Sequence, residues 1–145
     1  MSTEPTLITV EATIHAPVAK VWECFTNPEH IVQWNAASAD WHTPRATNDL
    51  RVGGAFHSRM EAKDGSVGFD FSGTYTEVQP QALIAYRMGD APDARTCRIL
   101  FAPQGEATVV KETFTAETTH PVEMQRAGWQ AILDRFKAHV EAPQP

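Results

Sequence analysis

Through most of residues 39–115 apolar residues recur at every second position, and from Pro121 onward they recur at every third or fourth. This change of period constrains the fold more than any other feature of the chain. Alternation places successive side chains on opposite faces of a strand, whereas a 3.6-residue repeat gathers them into one helix stripe. Val122, Trp129, Leu133, Phe136 and Val140 form such a stripe, widened by Ile132 and notched by Gly128. The spacing predicts a helix of about twenty residues, with Glu123 in its first turn. A sheet with one apolar face must bury that face. This helix is the only element long enough to cover it.

The strands can be read in order. Residues 40–46 carry Trp41, and Gly53-Gly54 opens a strand with Phe56, Ser58 and Met60 on one face. Lys63-Asp64-Gly65-Ser66 holds an Asp-Gly turn signal. Residues 68–78 place Phe69, Phe71 and Tyr75 together, and Gly73 marks a bulge or a close approach. After a turn at Gln79-Pro80-Gln81, three more sets alternate: Ile84, Tyr86, Met88; then Cys97, Ile99, Phe101; then Val110, Glu112, Phe114. Consecutive strands joined by short turns make an antiparallel meander.

Upstream, residues 7–15 alternate with Ile8, Val10, Ala12 and Ile14 on one face. Pro17 then takes the place of a first helical residue ahead of Val18, Val21, Trp22 and Phe25 at helical spacing, and Asn27-Pro28-Glu29 starts a second short helix. Neither helix is long enough to stand alone. The fold expected is α+β: a curved antiparallel β-sheet gripping a long C-terminal α-helix, with two short helices after the first strand. One domain spans residues 1–145, with an ordered core over 7–141 and loose ends at 1–6 and 142–145.

Five stretches in this order resemble a known family. They are Ile14-His15-Ala16-Pro17-Val18-Ala19-Lys20-Val21-Trp22, Leu50-Arg51-Val52-Gly53-Gly54-Ala55-Phe56, Asp64-Gly65, Gly73-Thr74-Tyr75-Thr76-Glu77-Val78-Gln79-Pro80 and Gly128-Trp129-Gln130-Ala131-Ile132-Leu133. The chain resembles the START-like, SRPBCC superfamily of helix-grip proteins, and within it the heat-shock-protein-90 ATPase activator homologue group. The resemblance implies an apolar cavity between sheet and long helix, and it allows a homodimer. It leaves activity open, because the superfamily includes lipid carriers, cyclases, hormone receptors and co-chaperone domains.

Twelve Lys+Arg against eighteen Asp+Glu give a net charge of −6, with the basic residues scattered singly. Neither nucleic acid nor an anionic membrane is an expected partner. The N-terminus lacks an apolar signal core, and no apolar run reaches the ~20 residues of a membrane span. Cys24 and Cys97 form no CxxC pair. A cytoplasmic location with reduced thiols follows. The six histidines show neither HxxxH nor HExxH spacing, and no GxSxG, Walker or GxGxxG motif occurs. No metal and no cofactor is expected.

Four Trp and seven Phe are the compositional oddity. The strand and helix faces send Trp41, Phe56, Met60, Phe69, Phe71, Tyr86, Phe114, Met124 and Trp129 inward, with Trp34 closing the mouth. Each alone reads as core. As a set on a curved sheet they read as the walls of a site for a small apolar or aromatic ligand. Glu112 shares the inward face with Val110 and Phe114. A carboxyl there loses hydration and its pKa rises, which suits a general acid or base or a ligand hydrogen bond; the bland alternatives are an ion pair with Arg126 or another long basic side chain, or a bulge that turns Glu112 out to solvent. Three functions are in play: a hydrophobic-ligand-binding protein, which the aromatic list favours; an acid–base enzyme of polyketide cyclase type, for which no second catalytic residue stands out; and a protein-binding module of chaperone-regulator type.

Overall fold

A computed structural model describes residues 6–88 and 95–142. The outermost positions of both expected loose ends, 1–5 and 143–145, lie outside the described residues, whereas the Thr6 carbonyl accepts from the Ala116 amide at 2.8 Å and is tied to the sheet. The elements run β1 (Leu7–Ile14), α1 (Val18–Thr26), α2 (Pro28–Trp34), β2 (Trp41–Asn48), β3 (Ala55–Ala62), β4 (Gly68–Gln79), β5 (Leu83–Met88), β6 (Arg95–Gln104), β7 (Ala107–Thr115) and α3 (Val122–Glu141). All strand pairs are antiparallel, in the order β1-β7-β6-β5-β4-β3-β2. The expected helix-grip architecture is present: six strands meander, and the first strand closes against the last.

Local chemistry sets the element ends. Asn27 caps α2 by accepting from the Glu29 amide at 2.9 Å, and Pro28 takes the first helical position, where its missing N–H costs nothing. Pro17 and Pro121 stand one residue earlier than expected: each is extended at the N-cap, and the helices begin at Val18 and Val122. The Asp64-Gly65 turn joins β3 to β4, and Gly65 takes φ +78°, which a side chain resists.

Register carries the inward face across the sheet. Ile8 opposes Phe114 and Val10 opposes Glu112; Cys97 opposes Phe114 and Ile99 opposes Glu112; Tyr86 opposes Cys97; Tyr75 opposes Tyr86; Phe56 opposes Gly73. Gly73 answers its expectation by close approach. A Cβ there would lie 2.6 Å from both the Phe56 ring and the Arg87 carbonyl oxygen. The bulge in β4 falls later, between Tyr75 and Glu77. Gly73→Ala is therefore expected to lose about 2 kcal/mol by overpacking, read as a lower urea midpoint with unchanged slope. Unaltered stability would mean that the Phe56 ring does not rest on Gly73.

Seven strands about 4.8 Å apart make a sheet roughly 29 Å wide, and a helix with its side chains covers about 10–12 Å. One helix cannot fill the concave face. Leu133, Phe136 and Val140 bury themselves in one cluster with Ile8, Val10 and Ile14 at the β1 side. The concave side of β2–β5 is left to curl toward α1, α2 and the start of α3.

Candidate functional site

A cavity of about 470 Å³ lies between the concave face of the sheet and the first half of α3. Its walls come from the inner faces of β2–β7, from Phe25 and Thr26 at the end of α1, from Ile31 and Trp34 on α2, and from Gln125, Trp129 and Ile132 on α3. Polar contacts hold this frame. The Trp34 indole N–H donates to the Cys24 carbonyl at 2.9 Å and seats α2 on α1. Asn48 donates to the Thr26 carbonyl at 2.7 Å while accepting from the Tyr75 hydroxyl, joining α1, β2 and β4. The Gln125 amide donates to the Glu117 and His120 carbonyls at 3.0 and 2.9 Å, which fixes the β7–α3 connection at the mouth.

Eight of the residues assigned inward from sequence line this cavity: Trp34, Phe56, Met60, Phe69, Phe71, Tyr86, Glu112 and Trp129. Phe69 is half exposed and sits at the rim. Three are placed differently. Trp41 opposes Ala62 at the end of the β2–β3 pair and meets the Phe69 ring at 5.9 Å, outside the lining. Phe114 is fully buried behind Trp129, with the rings stacked at 3.8 Å and 13°, so it supports the wall without forming it. Met124 is 59% exposed. At about 100° per residue it stands roughly 140° around α3 from Trp129, and Gln125, one turn before Trp129, takes the inward place.

Apart from Glu112, the polar lining has no assigned role in the sequence reading. Ser58 is on the face expected with Phe56 and Met60, without a role assigned to it, and Arg95 shares parity with Cys97, so strand alternation already carried both. Asn48 had no such signal, because β2 shifts register between His42 and Arg45.

Glu112 is the buried carboxyl of the cavity. Burial alone pushes its pKa up to about 8, and Arg126, one of the basic side chains considered for an ion pair, is bound to Glu123 instead. Burial also pushes the Tyr86 hydroxyl and the Cys97 thiol beside it well above their ordinary values. At neutral pH the floor therefore presents two uncharged groups, the Glu112 carboxylic acid and the Tyr86 phenol, while the Cys97 thiol is buried outside the lining. Such a surface can donate hydrogen bonds to an apolar molecule bearing an acceptor, and the acid can give up a proton.

A second cluster lies outside this lining. Cys24 on α1, His30 on α2 and His139 on α3 bring one sulfur and two ring nitrogens within 4.8 Å of one another. Histidine spacing along the chain gave no hint of it, because each residue comes from a different helix.

A model of the family "Activator of Hsp90 ATPase homolog 1-like protein" matches residues 15–141. Among solved structures, the AHSA1-like protein from Aeromonas hydrophila is 46% identical, with a TM-score of 0.86 over 94% of this chain and 92% of that one. Chr148 from Cytophaga hutchinsonii is 48% identical, with a TM-score of 0.79 over 92% and 91%. CV1439 from Chromobacterium violaceum is 26% identical, with a TM-score of 0.80 over 94% and 98%. No curated protein matches the chain.

Proposed function

The chain belongs to the activator of Hsp90 ATPase homolog 1-like family, and from that premise we propose that it binds a small apolar or aromatic molecule between its sheet and its long helix. The carrying observation is the cavity of about 470 Å³ walled by Trp34, Phe56, Phe71, Tyr86 and Trp129. That volume falls within the roughly 300–1,000 Å³ of small-molecule sites, and a mostly apolar wall with a few placed polar groups is the pattern such sites share. The ligand class follows from the floor. Glu112 and Tyr86 are uncharged at pH 7 and Arg95 adds a cation to the lining, so a molecule with a hydrogen-bond acceptor suits the site better than a cation. A cytoplasmic location is part of the proposal. Among the described residues no helix is long and apolar enough to cross a membrane.

N-phenyl-1-naphthylamine, a neutral aromatic fluorophore, is the probe. One saturable site is expected, with increased emission. Ser58 is buried on the inner face between Phe56 and Met60. Ser58→Phe should fill the cavity and weaken the probe by more than about tenfold, the effect of roughly 1.4 kcal/mol. Binding that does not saturate, or that Ser58→Phe leaves unchanged in a folded protein, would overturn the proposal.

Acid–base turnover of the bound molecule is the second reading, and the Glu112 carboxyl at about 8 favours it. Once a ligand is identified, Glu112→Gln separates the two: a binding protein keeps its function, and an enzyme keeps affinity while losing turnover.

A further inference from the structure

We infer that Cys24, His30 and His139 form a binding site for a transition-metal ion of the zinc class, which fastens α1, α2 and α3 to one another. The site is independent of the cavity: none of the three residues is among the cavity lining.

The donor set selects the metal. One thiol and two imidazoles suit zinc and its borderline-soft neighbours, whereas calcium and magnesium require oxygen ligands. Distances agree with a shared ion. His30 Nδ1 and His139 Nε2 are 2.9 Å apart, and the sulfur and both nitrogens lie within 4.8 Å of one another. Two nitrogens each about 2.05 Å from a tetrahedral zinc stand roughly 3.3 Å apart, and a sulfur at about 2.3 Å stands roughly 3.6 Å from each. The nitrogens must separate by a few tenths of an ångström, and the thiol must swing inward by about 1 Å at most. Side-chain rotation supplies both.

Burial, His30 and Lys20 together lower the His139 pKa, which keeps that imidazole neutral, the form that ligates. Burial raises the Cys24 thiol, opposed by Lys20 and reinforced by Glu23. Binding therefore releases the thiol proton to solvent. The proton shared between the two imidazoles moves to the outer nitrogen of the ring that held it. A second hollow, of about 330 Å³, is lined by Gln33, Arg135, Ala138 and His139, so of the three ligands it touches His139. Three protein ligands leave a fourth position for water.

The test uses the full chain, freed of metal and kept reduced. Isothermal titration with Zn²⁺ is expected to give one equivalent. Co²⁺ should produce intense tetrahedral d–d absorption and a thiolate-to-cobalt charge-transfer band. Outer-shell partners alone carry about 10–100-fold in metal affinity, so His30→Asn and His139→Asn should each cost at least roughly a hundredfold. Cys24→Ser should abolish the charge-transfer band, and His57→Asn on the sheet should change nothing. Zinc at about one hundred times its Kd should raise the melting temperature by roughly 10 °C, and His139→Asn should erase that rise. Substoichiometric uptake, a cobalt spectrum without sulfur character, or a melting temperature indifferent to zinc would each overturn the site and leave the His30–His139 contact as a hydrogen bond between helices.

Discussion

Glu112→Gln is expected to be more stable than the parent protein at pH 7 and equal to it near pH 4. Glu112 is only 8% exposed, and burial raises its pKa to about 8. In the unfolded chain a glutamate titrates near 4.3. Between those values the unfolded chain has released a proton that the folded protein retains. Stability therefore falls as pH rises, by about 1.4 kcal/mol per unit. Below the unfolded value both states are protonated and the contribution is fully present; it is lost as pH climbs through the folded value. By pH 7 about 3.5 kcal/mol has gone, an upper limit because water in the cavity solvates part of the charge. Gln keeps the shape, carries no charge and does not incur this loss. Urea melts of both proteins from pH 4 to 8 measure the difference, and the other titrating groups cancel in the subtraction. Two parallel curves would show that Glu112 titrates as an ordinary surface carboxylate, and the acidic floor of the cavity would fall with that result.

Glu112 was legible because strand parity is a local property. Val110, Glu112 and Phe114 alternate in sequence and share the inner face in space. The same logic found Phe56, Met60, Phe71 and Tyr86, and the helical period found Trp129. It failed where geometry departs from a regular period. Thr43 is buried and Asn48 lines the cavity although one is odd and the other even, because the register shift between His42 and Arg45 turns β2 over. Pro44 lies in that shift, on an edge strand where its missing N–H leaves no ladder bond unmade. Met124 failed for a different reason: apolar character was taken as inward direction, while the polar Gln125 holds the inward place. Neither the pairing of β1 with β7 nor the meeting of Cys24, His30 and His139 has any local signature. Both depend on segments about a hundred residues apart, which only the closed sheet and the seated helices bring together.

Phe136→Ala should have the largest effect on stability, because Phe136 joins all three helices. Its side chain is fully buried. Its ring meets Trp34 of α2 edge-on at 4.8 Å and Phe25 of α1 at 5.2 Å. Phe25 in turn meets Phe101 of β6 edge-on at 5.4 Å, and Trp22 meets the same Phe101 at 5.1 Å. Truncating a buried Phe costs about 3–5 kcal/mol, and two edge-to-face contacts of about 0.5–1.5 kcal/mol each place this site in the upper half of that range. A loss of about 4 kcal/mol lowers the melting temperature by roughly 15 °C and removes a large part of a typical domain's stability. Met124→Ala provides the contrast on the same helix: an apolar side chain of similar size, 59% exposed, whose removal should stay within about 0.5 kcal/mol. Equal effects at the two positions would mean that α3 is rotated from its described face. Trp34 lines the cavity, so the Phe136 hole should also release α2. Probe affinity should then fall in Phe136→Ala at temperatures where the protein is still folded, and hold in Met124→Ala.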